Sequence, residues 1–225
     1  MIIQCYNYIK QKILKIILFK KIRKGEIKMA INNLSKVKKE DCALIIIDMQ
    51  NDFIAEGAPI ECPGGRDIVQ NILKMKKWAY ENDVPVFYTQ EMHNKKKTDF
   101  GMELERSEPE HCVEGTEGVK IIDELTPDER DYVIIKRRYS GFYLTDLEIL
   151  MKGLNKKALI FAGVATNVCV FATVLDAHQR DMRAIVLSDC VAGTSPDLHE
   201  AYLKNIDYVF GDVVTSDELI NHFSK

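Results

Sequence analysis

Three segments of this chain lead into side chains that suit acyl transfer. Asp48 closes the apolar run Ala43-Leu44-Ile45-Ile46-Ile47, and Lys136 closes Tyr132-Val133-Ile134-Ile135. Cys169 follows Ala158-Leu159-Ile160-Phe161-Ala162 by way of Gly163-Val164-Ala165-Thr166-Asn167-Val168. A thiolate is a nucleophile, an ammonium stabilises that anion, and a carboxylate carries a proton to a departing nitrogen. Each residue also has a bland reading: a cysteine in an apolar helix is usually inert packing, and Asp48 with Lys136 equally makes a structural ion pair. The conjunction of the three says more than any one of them. If Thr166 and Asn167 cap a helix that begins just before Cys169, the helix end and Lys136 should pull the thiol down from its usual pKa of about 8.5.

The elements that must hold these groups read as alternating strands and helices, the pattern of βαβ units and a parallel sheet. The run 43–48 has the continuous hydrophobicity of a central strand buried on both faces. Further strands are expected at 84–89, 131–136, 157–163 and 183–188, with a short sixth at Tyr208-Val209-Phe210. Helices are expected at 66–81, 145–154, 167–180, 195–205 and 216–223. Thr145 and Glu148 have the spacing of a capping box. In such a sheet, ligands bind beyond the carboxyl ends of the strands, which would bring Asp48, Lys136 and Cys169 into one crevice. The irregular stretch from Gln90 to about Gly118 is long enough that a functional role is the default expectation.

Composition narrows the partners. With 225 residues, 46% hydrophobic and 29% charged, the chain has the make-up of a globular domain with a real core. A net charge of -3 gives no basic surface for nucleic acid, so a small molecule is the better partner. The six cysteines, Cys5, Cys42, Cys62, Cys112, Cys169 and Cys190, form no C-x-x-C pair, and a reducing cytoplasm is the default location. Residues 1–28 stand apart as a basic extension with eight Lys/Arg against Glu26 alone, while residues 29–225 read as one domain. Three readings of the extension stay open: a basic membrane-surface helix, a solvated tail, or a translated ribosome-binding region at Lys24-Gly25-Glu26 before a true start at Met29. It contains no membrane span, and its broken apolar run does not make a good signal peptide.

The segments Asp48-Met49-Gln50-Asn51-Asp52-Phe53, Lys136 and Gly163-Val164-Ala165-Thr166-Asn167-Val168-Cys169-Val170, in this order, resemble the isochorismatase-like hydrolase superfamily. The resemblance runs from about Asp41 to Leu219. It implies a three-layer αβα sandwich around a six-stranded, mainly parallel sheet, with Asp48, Lys136 and Cys169 as catalytic triad. It also implies a cis peptide between Val164 and Ala165, and an oxyanion hole formed by the backbone N-H groups of Ala165 and Cys169. The cysteine points to the amidase branch, in which a small amide, carbamoyl or ureido substrate is cleaved through a thioester and no cofactor is required. Homodimers or homotetramers are expected from the resemblance alone.

Within that branch, two features pull apart. His111-Cys112-Val113-Glu114-Gly115-Thr116 and Glu91-Met92-His93 resemble segments of nicotinamidases that bind a divalent metal, zinc or iron, and Glu91, His93 and His111 are capable ligands. Glutamate stands where those enzymes have aspartate, and their further histidine is missing at Lys95-Lys96-Lys97. Tyr139-Ser140-Gly141-Phe142 is closer to ureidoacrylate and carbamoyl-amine hydrolases. Tyr139, Phe142, Gln50 and Phe53 are the candidate pocket walls. A reading of another class also stands: a redox sensor or scaffold using Cys169, which would need the thiol and Lys136 but not Asp48.

Overall fold

The computed structural model describes residues 34–106 and 108–224. The readings made for residues 1–28 therefore fall outside the described residues. Six strands form one sheet: β1 (Cys42–Ile47), β2 (Val86–Glu91), β3 (Tyr132–Lys136), β4 (Ala158–Val164), β5 (Arg183–Ala192) and β6 (Asp212–Val214). Their order is β3-β2-β1-β4-β5-β6, and every pairing is parallel. The helices are α1 (Asn51–Ile54), α2 (Val69–Glu81), α3 (Leu147–Gly153), α4 (Phe171–Gln179), α5 (Pro196–Asn205) and α6 (Ser216–Phe223).

The continuous apolar run of β1 divides its side chains between two cores, as the two-residue period of a strand requires. Cys42, Leu44 and Ile46 pack with Ile72, Met75 and Trp78 of α2 and Leu219 of α6. Ala43, Ile45 and Ile47 pack with Leu147 and Met151 of α3 and Val174 and Ala177 of α4. Helices thus cover both faces of the sheet, giving the expected αβα layers. Cys42, Cys62, Cys112, Cys169 and Cys190 are all free thiols.

The chain builds outward from β1 to β2 and β3, then returns to the far side of β1 for β4, β5 and β6. The junction of β1 and β4 is therefore the switch point, where an open parallel sheet leaves a crevice beyond its carboxyl ends. Close approach of the two strands there requires glycine. Gly163 has φ +107°, and a Cβ on it would lie 2.1 Å from the carbonyl oxygen of Ile47. Gly163→Ala is expected to destabilise the fold by about 3 kcal/mol or more, because neither backbone can give way without breaking the ladder. Urea unfolding of the variant measures this.

Several local expectations need correction. Tyr208-Val209-Phe210 is no strand; Ile206–Phe210 forms a π-helical turn continuing α5, with Tyr208 61% exposed. The sixth strand lies just beyond, where Val213 pairs with Val186; a three-residue apolar run does not carry enough periodicity to separate the two states. Thr145 and Glu148 make no capping box: the Thr145 hydroxyl bonds Gly141 O, and Glu148 pairs with Lys152 and Arg180. Gly141, Lys152 and Arg180 take the groups that the cap would have used. The boxes that do form are local in sequence, such as Thr215 with Glu218 at the start of α6.

Candidate active site

The carboxyl ends of β1, β2 and β3 each carry one charged side chain. Lys136 ends β3, and its register partner Glu91 ends β2. Asp48 follows β1 with φ +48°, a left-handed conformation that aspartate tolerates better than most residues. Thr89 of β2 holds it there: the hydroxyl donates to Asp48 Oδ1 at 2.7 Å, and Asp48 N lies 3.2 Å from the same oxygen. β3 is two strands from β1, so the four-carbon stem of Lys136 has to reach over β2 to close the group.

Cys169 arrives from the other side of the switch point. After β4 comes a cis peptide between Val164 and Ala165, then a π-helical turn at Thr166–Val170 that runs into α4. The wide turn is made by Val170 N donating to Ala165 O at 3.2 Å. Thr166 and Asn167 do not cap it with their side chains, contrary to expectation. Thr166 Oγ1 lies 2.9 Å from His199 Nδ1, and Asn167 exchanges hydrogen bonds with Thr194. These contacts fix the turn to the segment before α5 and to α5 itself.

The four groups meet around one ammonium. Lys136 Nζ stands 2.8 Å from Asp48 Oδ2, 2.7 Å from Glu91 Oε2 and 3.6 Å from Cys169 Sγ. All four residues are buried. Asp48 Oδ2 touches the ammonium as an ion pair but lies without an aligned hydrogen bond, so a lone pair remains for another proton.

The protonation pattern follows from burial and from the shortage of cations. Burial would lower Lys136, but Asp48, Cys169 and Glu91 raise it well above the ordinary lysine value, so it stays charged. Burial would raise Glu91, yet Lys136 and hydrogen bonds from His111 and His93 carry it well below the carboxylate range. Asp48 is raised by burial despite Lys136, with Glu91 adding to the rise. The Cys169 thiol is also raised well above its usual value, by burial first, with Lys136 opposing and the two carboxylates reinforcing. This reverses the expectation of a resting thiolate. One ammonium facing two carboxylates has little attraction left for a third anion.

These residues open onto a cleft lined by Asp48, Glu91, Cys169, Phe53, His111 and Tyr139, with Ala165 and Val164 also in its wall. Of the other expected pocket walls, Gln50 and Phe142 lie elsewhere. The Gln50 amide is wholly buried, donating to Glu91 O at 2.7 Å and Val119 O at 2.8 Å while accepting from Glu91 N at 2.8 Å. It ties β2 to the 111–119 loop instead of facing ligand. Phe142 packs in the core under the Arg180 guanidinium, 4.8 Å from its ring centre. Sequence reasoning missed Glu108, Glu61, Ile60 and Thr194, all of which line the cleft.

Glu91 also faces two histidines. His111 Nε2 lies 3.0 Å and His93 Nε2 3.3 Å from Glu91 Oε1. Their ligating atoms all fall within 4.8 Å of one another. Two imidazoles and a carboxylate fit a divalent transition metal. His111 Nδ1 donates to Pro109 O at 2.8 Å, which leaves Nε2 directed at the carboxylate as a metal ligand or as the second N-H of an imidazolium. Buried His93 Nδ1 has no hydrogen-bond partner and lies 3.7 Å from Asp99 Oδ1.

Sheet, helices and strand-end site together define a class of protein, the isochorismatase-like hydrolases. The chain belongs to the isochorismatase family, whose isochorismatase domain matches residues 42–218. It is similar to a probable inactive nicotinamidase of Arabidopsis thaliana, at 34% identity over 73% of this chain and 88% of that one. The ureidoacrylate amidohydrolase RutB of Agrobacterium fabrum is 28% identical over 84% of this chain and 92% of its own. An isochorismatase-like hydrolase from Alkaliphilus metalliredigens, solved by crystallography, superposes with a TM-score of 0.74 at 37% identity, covering 82% of this chain and 98% of that one. Among the described residues, no helix is long and apolar enough to cross a membrane.

Proposed function

We propose that the protein is a cysteine amidohydrolase that cleaves the C-N bond of a small amide, carbamoyl or ureido substrate. The observation that carries this reading is the contact of one buried ammonium with Asp48, Glu91 and Cys169 at the floor of a cleft. Asp48 takes the Cys169 proton, since a thiol held neutral by its surroundings needs a base at the moment of attack. The thiolate adds to the substrate carbonyl carbon, and the oxyanion is received by the backbone N-H groups of Ala165 and Cys169. Asp48 then protonates the leaving nitrogen, the C-N bond breaks, and an acyl thioester remains on Cys169. Asp48 next deprotonates water, which adds to the thioester carbonyl; the C-S bond then breaks, Asp48 returns the proton to the Cys169 sulfur, and the acid is released. Lys136 stays protonated throughout and keeps the local charge balanced.

Ammonia release from a panel of nicotinamide, ureidoacrylate, N-carbamoyl amino compounds and simple amides tests this reading. Because burial raises Asp48, the base is lost to protonation at a higher pH than for an exposed aspartate. The acid limb of kcat/KM should therefore lie above the ordinary aspartate range. Asp48→Asn should lower kcat by about 10²- to 10⁴-fold at every pH and abolish that limb. An unchanged kcat in Asp48→Asn removes the proton carrier and, with it, the mechanism.

The cluster of Glu91, His93 and His111 supports a second reading, a metal-dependent nicotinamidase. These three residues would hold a zinc or iron ion at the cleft wall, where it would supply a binding position for a pyridine nitrogen. The chemistry at Cys169 is the same in either case. We expect hydrolysis to continue after dialysis against a chelator; loss of nicotinamide turnover that returns with added metal would establish the second reading instead.

A further inference from the structure

Charge around the cleft is unevenly balanced. Four carboxylates line it, those of Asp48, Glu61, Glu91 and Glu108, and among the described residues no lysine or arginine side chain does. Lys136 lies beneath and is committed to Asp48 and Glu91. His111 faces Glu91 at 3.0 Å. Glu61 accepts the backbone N-H of Gly57 at 2.9 Å. Glu108 differs from the rest: among the described residues, no side chain or backbone N-H donates to its carboxylate, although the residue is half-buried. It stands near Tyr139, whose phenol is pushed up to about 12 by burial first, then by the charges of Glu108, Glu103 and Cys169. Glu108 and Cys169 are thus on the same cleft, with Tyr139 sensing both.

A carboxylate that lines the cleft and stays open to solvent can exchange its hydration for the donors a ligand brings. A ligand carboxylate beside Glu108 would instead meet a second anion, a repulsive element that discriminates as strongly as an attractive one. Resting on the reading of this cleft as the substrate site, we propose that Glu108 is a specificity-determining residue. It receives the N-H or ammonium donors of a neutral or cationic amide, and it rejects substrates that would place a carboxylate beside it.

The test uses three benzamides that differ only in the 3-substituent: aminomethyl as a cation, hydroxymethyl as a neutral group, and carboxylate as an anion. Binding is measured by calorimetry on the full-length Cys169→Ala protein, which separates recognition from turnover. The cation should bind at least about tenfold more tightly than the anion. Adding Glu108→Gln should compress that ratio to about threefold or less, and Glu108→Lys should place the anion first. The proposal is overturned if the anion binds as well as the cation, if Glu108→Gln leaves the ratio unchanged, or if none of the three binds. Turnover of the same compounds by the unsubstituted protein is read separately. Binding in the expected order without hydrolysis would defeat the amidohydrolase reading and leave the selection by Glu108 standing. Hydrolysis with an order indifferent to Glu108 would do the reverse.

Discussion

Cys169→Ala is expected to reduce amide hydrolysis by about 10⁴-fold or more, the scale seen when the nucleophile of a concerted catalytic group is deleted. Nothing else at the cleft replaces the lost chemistry. Cys62, the other cysteine lining it, has its thiol pushed up to about 12 by burial, and its Sγ is turned toward Ala192 O and Gly193 O at 3.6 and 3.3 Å. The variant should remain folded, because Lys136 keeps its ion pairs with Asp48 and Glu91 when the neutral thiol is removed. Rapid quench followed by intact-mass measurement should detect an acyl adduct on the unsubstituted protein and none on Cys169→Ala. An adduct that persists in the variant would place the nucleophile elsewhere.

Lys136→Met should cost about 3 to 5 kcal/mol of stability, because it leaves the carboxylates of Asp48 and Glu91 buried without the ammonium they share. The shape of the side chain is roughly kept, so the loss is electrostatic rather than steric. The pH dependence distinguishes the two causes. Glu91 has its pKa depressed in the folded protein, so the stability it contributes is present above the ordinary glutamate pKa and fades as pH falls through the lower folded value. Without Lys136 that depression loses its chief cause, and the variant should gain stability relative to the parent as the solution is acidified toward the carboxylate range. Adding Asp48→Asn to Lys136→Met should recover part of the deficit, since one of the stranded anions is then removed. Denaturant unfolding of the single and double variants at two pH values measures both effects.

Much of this arrangement was legible in the residues. The run 43–48 announced a strand buried on both faces, found at Cys42–Ile47, and the position of Asp48 and Lys136 at strand ends announced the crevice. Glu91 was legible only in part. Ending β2 at Thr89 left it in a loop as a metal-ligand candidate, whereas two more strand residues put it level with Lys136 and beside the thiol. The same strand-end criterion that selected Asp48 would have selected Glu91. The state of Cys169 was not legible, because a helix terminus and a lysine are visible in sequence while desolvation and a second carboxylate across the sheet are not. Gln50 and Phe142 show the same limit. Proximity in sequence to Asp48 or to Tyr139 says nothing of which way a side chain turns, and the buried amide and ring serve the scaffold.

The lysine is delivered by β3, the outermost strand on its side of the sheet, and it reaches Asp48 only across β2. A chain in which β1 and β4 have already zipped together holds the thiol and the aspartate but lacks their shared cation. Catalytic competence should consequently be the last property regained on refolding, appearing when the edge strand docks and not when the central pair forms.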